Sequence, residues 1–438
     1  MRVVKRWITW LQLNRERWIY AILLLALAVR AAVLVRYRLS LTLNSDDVGY
    51  MHSAIWLLQY GRFTYHSPDE PTAHMMPGIT LLLAAVFAVF GWGPWGVMIA
   101  KGVMCLFGVA AVYGVYLCGR EAWGVTAGLV AALGCALYVP GILTDTLLLT
   151  EPPFTASFAW LVYFCMRLAR TRRTRYLLAA VGCYLFALFF RPTVALFPLV
   201  VLVYLLSHRY PLRTLARHAL LGAVVVCLVL APWWVRNELA FHRFVPLTNG
   251  SGDPLLLGTF QGEGYPPGTY QETLNAIKAA HPGISAFNLS IAEQQVAEQR
   301  IQAWWQADKR SFLHSYLSVK PEILWDRPFY WKPILRVKQE TMRWVQPLLV
   351  QAGCLGWILA FLLGWGRRRE ALFVMITLLY YTALYSVYFA YGRYSLPFMP
   401  LMFLGVGAGL WALGRASWHL WHVIRRHLPS PAEGQTGP

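Results

Sequence analysis

Two adjacent aspartates, Asp46 and Asp47, are the residues of this chain best suited to chemistry. They follow the first long apolar stretch and precede a short amphipathic one, so we expect them at a membrane surface. Neighbouring carboxylates repel each other, and each is costly to desolvate at such a surface. Such a pair can serve a cation, a proton transfer or the start of a helix, and the two residues alone leave all three open.

The residues after this pair predict a short helix lying on the membrane surface. Apolar side chains recur at helical spacing from Met51 to Leu58, and Gly61 supplies a stop. Ser45 or Asp46 would be the N-cap, and Asp47 would face the positive end of the helix dipole. A helix start is therefore the plain alternative to a catalytic role for both aspartates.

Composition identifies a polytopic membrane protein. Of 438 residues, 58% are hydrophobic and 13% are charged, with a mean hydropathy of +0.46. The formal net charge is +19, but its Lys and Arg residues come in short bursts between apolar stretches, as in cytoplasmic loops. Nucleic-acid binding is therefore not expected. All seven cysteines lie in apolar stretches, which indicates neither a disulfide framework nor a zinc site.

The apolar stretches predict about ten transmembrane helices with both termini inside. The four basic blocks (the amino terminus, 170–175, 208–217 and 367–369) then fall on one side with the tail, as the positive-inside rule requires. A further run, Ile79 to Phe90, is too short to span and predicts a juxtamembrane or re-entrant helix. The predicted spans begin near Trp18, Pro94, Val125, Pro153, Tyr176, Thr193, His218, Val345, Ala371 and Ser395.

This topology predicts four regions. Residues 1–236 form an amino-terminal transmembrane catalytic module, which includes a first outer loop at 37–78. Residues 237–344 form a small outer-face domain, 345–415 the last transmembrane helices, and 416–438 a cytoplasmic tail. The outer face then collects Glu151 together with Arg191, Arg236 and Arg393. Basic residues there run against the usual charge bias, which indicates function rather than topology.

Two outer stretches carry further signals. The proline-rich end of the first outer loop contains His74, a candidate ligand in a segment that is otherwise a plain loop. In the 237–344 segment, Ser290 and Glu293 have the spacing of a capping box. They predict a helix beginning near Ser290, whose apolar stripe continues to Leu313.

The order and sidedness of several short motifs resemble the GT-C superfamily. The branch they resemble contains protein O-mannosyltransferases and lipid A aminoarabinose transferases. No single motif is specific, but together they cover nearly the whole chain, with 259–344 the weakest part. The matching motifs are the acidic pair with Tyr50, the run from Pro77 to Gly91, Thr150-Glu151-Pro152, Arg191-Pro192, 231–237, and Arg393 with Leu396-Pro397.

This resemblance implies an all-α GT-C fold with about ten transmembrane helices, juxtamembrane helices and a small outer-face domain. It implies an inverting glycosyltransferase in the cytoplasmic membrane, acting at the outer face. The donor would be a hexose or pentose on a polyprenyl monophosphate, and the acceptor a hydroxyl of a protein, lipid or cell-envelope glycan. On the family pattern Asp46 would be the base and Asp47 its supporting acid. Glu151 would be the acid of the second outer turn, where relatives often carry Asp and where Asp145 is a weaker match.

The chemistry of such a transfer asks for the same residue types. A carboxylate must take the acceptor's proton on the face opposite the leaving group. Cations must stabilise the charge that builds on the departing phosphate, and the forked guanidinium of Arg suits this. The candidates near outer helix ends are Lys101, Arg191, Arg236 and Arg393, with His74 in the loop. Each could instead contact lipid headgroups, and Arg30 in the first span could pair with a loop acid.

Alternatives from other classes remain at this point. A secondary transporter or lipid flippase would place charges near the membrane midplane in repeated halves, and the chain shows no internal repeat. An O-antigen-ligase-like enzyme would use a pyrophosphate-linked donor, which the sequence separates poorly. Asp46, Asp47, Glu151 and His74 could also bind a divalent cation, or the arginines could neutralise the phosphate alone.

Overall fold

The computed structural model describes residues 15–427, with backbone alone for 425–427. The predicted basic residues Lys5 and Arg6, and residues 428–438 of the predicted tail, lie outside the described residues. The described part is all-α, and its extended contacts are limited to one isolated bridge between Thr64 and Pro71. The helices are α1 Trp18–Tyr37, α2 Asp46–Tyr60, α3 Gly78–Phe90, α4 Pro94–Trp123, α5 Val125–Leu137, α6 Val139–Thr144, α7 Glu151–Thr171, α8 Thr174–Phe190, α9 Phe197–Ser207, α10 Leu212–Phe241, α11 Gly252–Gly258, α12 Tyr270–Ala280, α13 Ala286–Ala307, α14 Lys309–His314, α15 Lys320–Asp326, α16 Gln339–Leu363, α17 Arg368–Val387, α18 Gly392–Ser395 and α19 Met399–His427.

Within residues 15–427, six helices are long and apolar enough to cross a membrane. They are α1, α4, α10, α16, α17 and the stretch that runs from α18 through α19. The other four predicted spans are also helical, as α5, α7, α8 and α9, but three of these are shorter apolar helices of 10–17 residues. The all-α, multi-pass membrane architecture is confirmed, whereas the count of ten crossings stays a prediction.

The first outer loop forms the two short helices that its sequence predicts. Helix α2 ends where Gly61 takes a left-handed conformation with φ of 65°. Helix α3 has 13 residues, about 20 Å, which is short for a span. Ser45 occupies the N-cap, as predicted, but its side chain makes no hydrogen bond to the helix.

The 237–344 segment is a chain of short helices around a small core of its own. Leu256 of α11, Ile277 of α12 and Ala297 of α13 form that core. Helix α13 begins at Ala286 with Ser285 as its cap, so the predicted start at Ser290 is wrong. Ser290 lies inside the helix and donates to the carbonyl of Asn249 instead. The stripe to Leu313 is also interrupted, because Asp308 caps a new helix, α14.

Small residues allow the main membrane helices to pack closely. Gly353 and Gly356 of α16 face Gly405 and Gly409 of α19, where an added Cβ would meet backbone. Gly119 of α4 similarly faces α5. Close backbone approach through small residues is the usual way in which helices associate inside a membrane. These contacts build a bundle whose two ends hold different charged groups.

The two ends of the bundle hold different sets of charged residues. At one end, the basic end, Arg170 binds Glu370 and Arg172 donates to the carbonyl of Arg209. Three predicted cytoplasmic blocks, 170–175, 208–217 and 367–369, therefore meet there. The opposite end holds Glu151, at the start of α7, and Arg191, just after α8.

Candidate functional site

Four predicted site residues from separate parts of the chain meet at the end opposite the basic end. Asp46 begins α2, Glu151 begins α7, Arg191 follows α8 and Arg393 lies in the short helix α18. Helix starts and helix ends face each other here because consecutive membrane helices alternate in direction. We refer to these four residues as the carboxylate–arginine cluster.

Glu151 is the centre of this cluster and is completely buried. Its carboxylate accepts a bond of 2.6 Å from Nη2 of Arg191 and further bonds from Nε and Nη2 of Arg393. Thr150 adds its hydroxyl at 3.3 Å. A buried carboxylate without such partners would be destabilising, whereas one held by two guanidiniums is satisfied. Glu151 therefore fixes the two arginines relative to each other.

Arg393 extends this network to Asp46. Its Nη1 donates to Oδ2 of Asp46 at 2.6 Å, while its other nitrogens hold Glu151. The Asp46 side chain is 36% exposed, in contrast to Glu151. Within the described residues, Oδ1 of Asp46 makes no hydrogen bond. One oxygen of an oriented carboxylate is thus free to accept a proton from a substrate.

Aromatic side chains enclose the cluster, and sequence reasoning found only one of them. The hydroxyl of Tyr385 lies 3.5 Å from Nη1 of Arg191, and Tyr394 places its ring against the same guanidinium. Burial, together with the charge of Asp46, raises the pKa of Tyr50 and of Tyr65. These hydroxyls stay protonated and can donate hydrogen bonds. The tyrosines that flank Arg393 at 391 and 394 were the available signal in the sequence.

Asp47 has a different environment from its neighbour. It is buried, and its carboxylate accepts bonds from the hydroxyl of Thr42 at 2.6 Å and from the backbone N–H of Leu43 at 2.9 Å. The backbone N–H groups of Ser45 and Val48 bind its other oxygen. Asp47 therefore stabilises the loop that carries Asp46, and both of its carboxylate oxygens already accept hydrogen bonds from that loop.

Two of the predicted phosphate-binding residues also hold the first outer loop. Nζ of Lys101 donates to the carbonyls of Arg38 at 3.1 Å and Leu41 at 2.6 Å. The guanidinium of Arg236 donates to the carbonyls of Thr72 at 2.6 Å and Phe63 at 2.9 Å. These cations pin the two ends of the loop, and the structure does not bring them into contact with the carboxylate–arginine cluster.

His74 lies at the rim of the site, in an aromatic stack. Its ring lies parallel to that of Tyr65, with 5.3 Å between the ring centres, and meets the ring of His66 edge-on. Burial and the neighbouring His66 lower the pKa of His74, so its imidazole is mostly neutral near pH 7.

Arg30 and Asp145, two further candidates, form a buried ion pair within the bundle. Nε of Arg30 donates to Oδ2 of Asp145 at 2.8 Å. Arg30 therefore pairs with an acid of α6's carboxyl end rather than with the first outer loop. The pair leaves Asp145 away from the carboxylate–arginine cluster, and Glu151 is the acid that the structure places there.

The candidate metal ligands do not converge. Among residues 15–427, no group of three His, Cys, Asp or Glu side chains is arranged to hold an ion. Glu151 is occupied by two arginines, and Asp47 by its own loop. Asp46 alone among the candidates has a free carboxylate oxygen next to a cationic surface.

A protein-family model matches part of the chain. Residues 69–235, less than half of the chain, match the family described as dolichyl-phosphate-mannose-protein mannosyltransferase. The match contains Glu151 and Arg191 and ends just before Arg236. No curated protein matches the chain significantly.

Solved structures share the fold at low sequence identity. An archaeal oligosaccharyltransferase, AglB from Archaeoglobus fulgidus in complex with an inhibitory peptide and a dolichol-phosphate, superposes with a TM-score of 0.56 and 14% identity, over 95% of this chain and 52% of that one. The apo form of the Archaeoglobus fulgidus oligosaccharyltransferase superposes with a TM-score of 0.54 and 14% identity, over 93% of this chain and 52% of that one. ArnT from Cupriavidus metallidurans bound to undecaprenyl phosphate has a TM-score of 0.41 and 14% identity, over 92% of this chain and 80% of that one. The chain spans about half the length of the oligosaccharyltransferases, and the predicted fold is confirmed.

Proposed function

We propose that this chain belongs to the GT-C superfamily and is an inverting glycosyltransferase that uses a sugar carried on a polyprenyl phosphate. The acceptor is a hydroxyl of a protein, a lipid or a cell-envelope glycan. The reaction takes place at the outer face of the cytoplasmic membrane, where the carboxylate–arginine cluster opens opposite the basic end. The superfamily gives the class of reaction, and the cluster supports the assignment of roles.

The observation that carries the proposal is the half-exposed carboxylate of Asp46, oriented by an arginine that is itself fixed by Glu151. In the transfer, the acceptor oxygen attacks the anomeric carbon from the face opposite the phosphate. Its proton passes to Oδ1 of Asp46, and the bond between the anomeric carbon and the phosphate oxygen breaks with its electron pair remaining on the phosphate. This displacement inverts the anomeric centre.

Arg191 and Arg393 are the groups that meet the developing phosphate charge. Their forked guanidiniums suit a phosphate monoester, and low exposure strengthens their electrostatic effect. Glu151 balances part of their charge, so the cluster carries two cations and two carboxylates before the donor arrives. Nη1 of Arg191, whose contact to the hydroxyl of Tyr385 is a long 3.5 Å, is then the donor best placed for the phosphate.

The remaining predicted residues take supporting roles in this proposal. Asp47, Lys101 and Arg236 hold the first outer loop, and so place Asp46. His74 contributes to the rim where the acceptor enters. Asp46 is the residue that could take part in holding a divalent cation, and loss of activity upon chelation, restored by Mg²⁺ or Mn²⁺, would reveal such an ion.

The comparisons support a lipid-phosphate donor. The matching family is described by a dolichyl-phosphate sugar, and the AglB structure contains a dolichol-phosphate. The fold is shared over nearly the whole of this chain, whereas the remaining half of AglB has no counterpart in it. The acceptor of the archaeal enzyme therefore does not identify the acceptor of this chain.

The experiment compares donors with the protein in vesicles. Polyprenyl-phosphate mannose and polyprenyl-pyrophosphate mannose, each labelled in the sugar, are supplied with membrane extract as the acceptor source. We expect label transfer from the monophosphate donor and an inverted anomeric configuration in the product, read by NMR. Transfer from the pyrophosphate donor alone would favour the ligase-like alternative, and retention of configuration would contradict the proposed displacement.

A further inference from the structure

The turn from the end of α17 to the start of α18, residues 388–392, directly precedes Arg393 and is held by residues outside the membrane bundle. Its central residue, Ala390, is bound on both sides of its backbone by one side chain of the 237–344 segment. Nε2 of Gln261 donates to the carbonyl of Ala390 at 2.7 Å, and the N–H of Ala390 donates to Oε1 of Gln261 at 2.7 Å. A side chain that satisfies both backbone groups of one residue acts as a two-point clamp.

Lys320 provides a second hold on the same turn. It is fully buried, and its Nζ donates to the carbonyl of Tyr388 at 3.1 Å while lying 3.5 Å from the ring centre of Tyr316. Within the described residues, Lys320 makes no ion pair. A buried lysine without a carboxylate is destabilising. It lies just after a π-helical turn, Ser315–Val319, a feature often found at functional sites.

Two more contacts bring the segment directly to Arg393. The ring of Phe329 lies 5.5 Å from the guanidinium carbon of Arg393. Gly392 packs so closely against the carbonyl of Arg327 that a Cβ would not fit. Arg327 and Phe329, which follow α15, therefore contact Gly392 and Arg393 at the end of the turn that Gln261 and Lys320 hold.

Gln261 is itself held firmly by its own loop. Arg300 donates to the hydroxyl of Thr259 at 2.8 Å and to the carbonyl of Pro266 at 2.8 Å, with its guanidinium 3.8 Å from the ring centre of Phe260. These contacts fix the loop on both sides of Gln261. The clamp is thus attached to α13, the longest helix of the segment.

We propose that Gln261 and Lys320 are positioning residues, which hold the turn 388–392 so that Arg393 can bridge Glu151 and Asp46. This inference rests on the proposed function for its effect on catalysis, but the clamp itself can be measured without any reaction. It gives the 237–344 segment a role in placing the catalytic arginine. A displacement of about 1 Å in such a site can reduce a rate by about a hundredfold.

The first test measures the clamp directly by hydrogen exchange. In Gln261→Ala, the amide of Ala390 loses its acceptor, so we expect faster exchange in peptides covering 388–394. The matched control is Gln294→Ala, which removes another glutamine of the segment whose amide bonds an exposed side chain, Glu298, at 2.9 Å. Exchange of the turn should not change in this control. Unchanged exchange in Gln261→Ala would overturn the proposal.

The second test follows transfer of labelled mannose from polyprenyl-phosphate mannose. We expect kcat to fall about ten- to a hundredfold in Gln261→Ala, with KM for the donor changed less than kcat, because Asp46 and the arginines remain present. Gln261→Glu keeps an acceptor for the N–H of Ala390 and should recover part of the rate. A wild-type kcat in Gln261→Ala, combined with faster exchange at the turn, would contradict a positioning role.

Lys320 is tested by a pair of variants. Lys320→Met removes the donor to Tyr388, so we expect faster exchange of the turn and a lower kcat. Lys320→Arg keeps a donor and a charge, and should lie nearer the wild type in both measurements. Equal loss in the two variants would indicate a packing role only, and would remove Lys320 from the clamp. If the wild-type protein transferred no sugar, the proposed function would fail, and the exchange data would still decide whether the clamp exists.

Discussion

Both ends of the helical bundle hold buried glutamates paired with arginines, yet the two networks differ in what they leave free. At the basic end, Arg170 joins Glu121 to Glu370, and Arg167 adds a second bond to Glu121. At the other end, Glu151 joins Arg191 to Arg393. The first network ties three membrane helices together. The second reaches into a loop and ends on a half-exposed carboxylate.

This difference shows what separates a structural ion network from a reactive one. Every carboxylate of the basic-end network belongs to a membrane helix, so its positions are set by helix packing. Asp46 instead belongs to the first outer loop, and Arg393 to a turn clamped by the 237–344 segment. Charge placed on loops over a rigid bundle can respond to a substrate, which is why binding residues concentrate there.

The largest expected contrast comes from removing the bridging arginine at each end. Arg393→Met should lower kcat for transfer about a hundred- to a thousandfold, because one phosphate donor and the orientation of Asp46 are lost together. Arg170→Met should leave kcat of the folded protein unchanged. Both variants break a buried pair, so each should lower the free energy of unfolding by about 3–5 kcal/mol. Thermal unfolding and transfer assays on the same preparations check this.

Neutralising the central glutamate should sharpen the same contrast. Glu151→Gln leaves Arg191 and Arg393 without their shared anion, so we expect tighter binding of polyprenyl phosphate together with a kcat at least about tenfold lower. Glu370→Gln, the matched change at the basic end, should alter stability alone. The measurement is titration of both variants with polyprenyl phosphate. Weaker binding in Glu151→Gln would contradict the proposed difference between the two ends of the bundle.

The pH dependence of stability should also distinguish the two ends. Burial lowers the pKa of Lys320 from 10.5 to about 7, whereas Arg167 and Arg170 at the basic end have acidic partners. Between pH 7 and 10.5 the unfolded chain binds more protons at this lysine than the folded one, so its contribution makes stability rise with pH. Lys320→Met should flatten this rise, and Lys278→Met, which alters another lysine of the segment, should not. Unfolding midpoints measured across that range provide the check.

The smallest expected effect concerns the loop that presents Asp46. Thr42→Val removes the 2.6 Å bond to Asp47 at little change in shape. We expect a loss of about 1 kcal/mol in stability of the loop and a fall in kcat of roughly fivefold. Thr171→Val removes a comparable bond, 2.7 Å to the carbonyl of Arg167, at the basic end. An equal fall in kcat in that variant would show that the assay reports general stability.

Much of the fold could be predicted from the sequence, because apolar length and glycine stops act locally. The short helix after Asp46, its end at Gly61 and the short run from Ile79 to Phe90 all follow from residue pattern. Helix starts were less predictable. Ser45 was among the predicted caps of α2, whereas the cap of α13 is Ser285 and not Ser290, because the spacing of Ser290 and Glu293 does not encode where the preceding chain enters the helix.

The residues of the carboxylate–arginine cluster could be predicted from the sequence, but the hydrogen-bond partners of the candidate cations could not. The sequence placed Asp46, Glu151, Arg191 and Arg393 on one side, and the structure brings them together. Lys101 and Arg236 look the same as those arginines in sequence, since each is a cation near a helix end. Only tertiary packing shows that their partners are backbone carbonyls. The clamp at Ala390 had no sequence signal, because it joins residues 129 positions apart.

The most direct test of the account is the substitution Asp46→Asn, with transfer and donor binding measured on one preparation. The amide keeps the size of the side chain and can still accept a bond from Arg393, but it cannot take the acceptor's proton. The account predicts that transfer falls about a hundred- to ten-thousandfold while the affinity for polyprenyl phosphate stays similar. Asp69→Asn, on the exposed part of the same loop, serves as the control. Transfer at the wild-type rate in Asp46→Asn would contradict the assignment of Asp46 as the base.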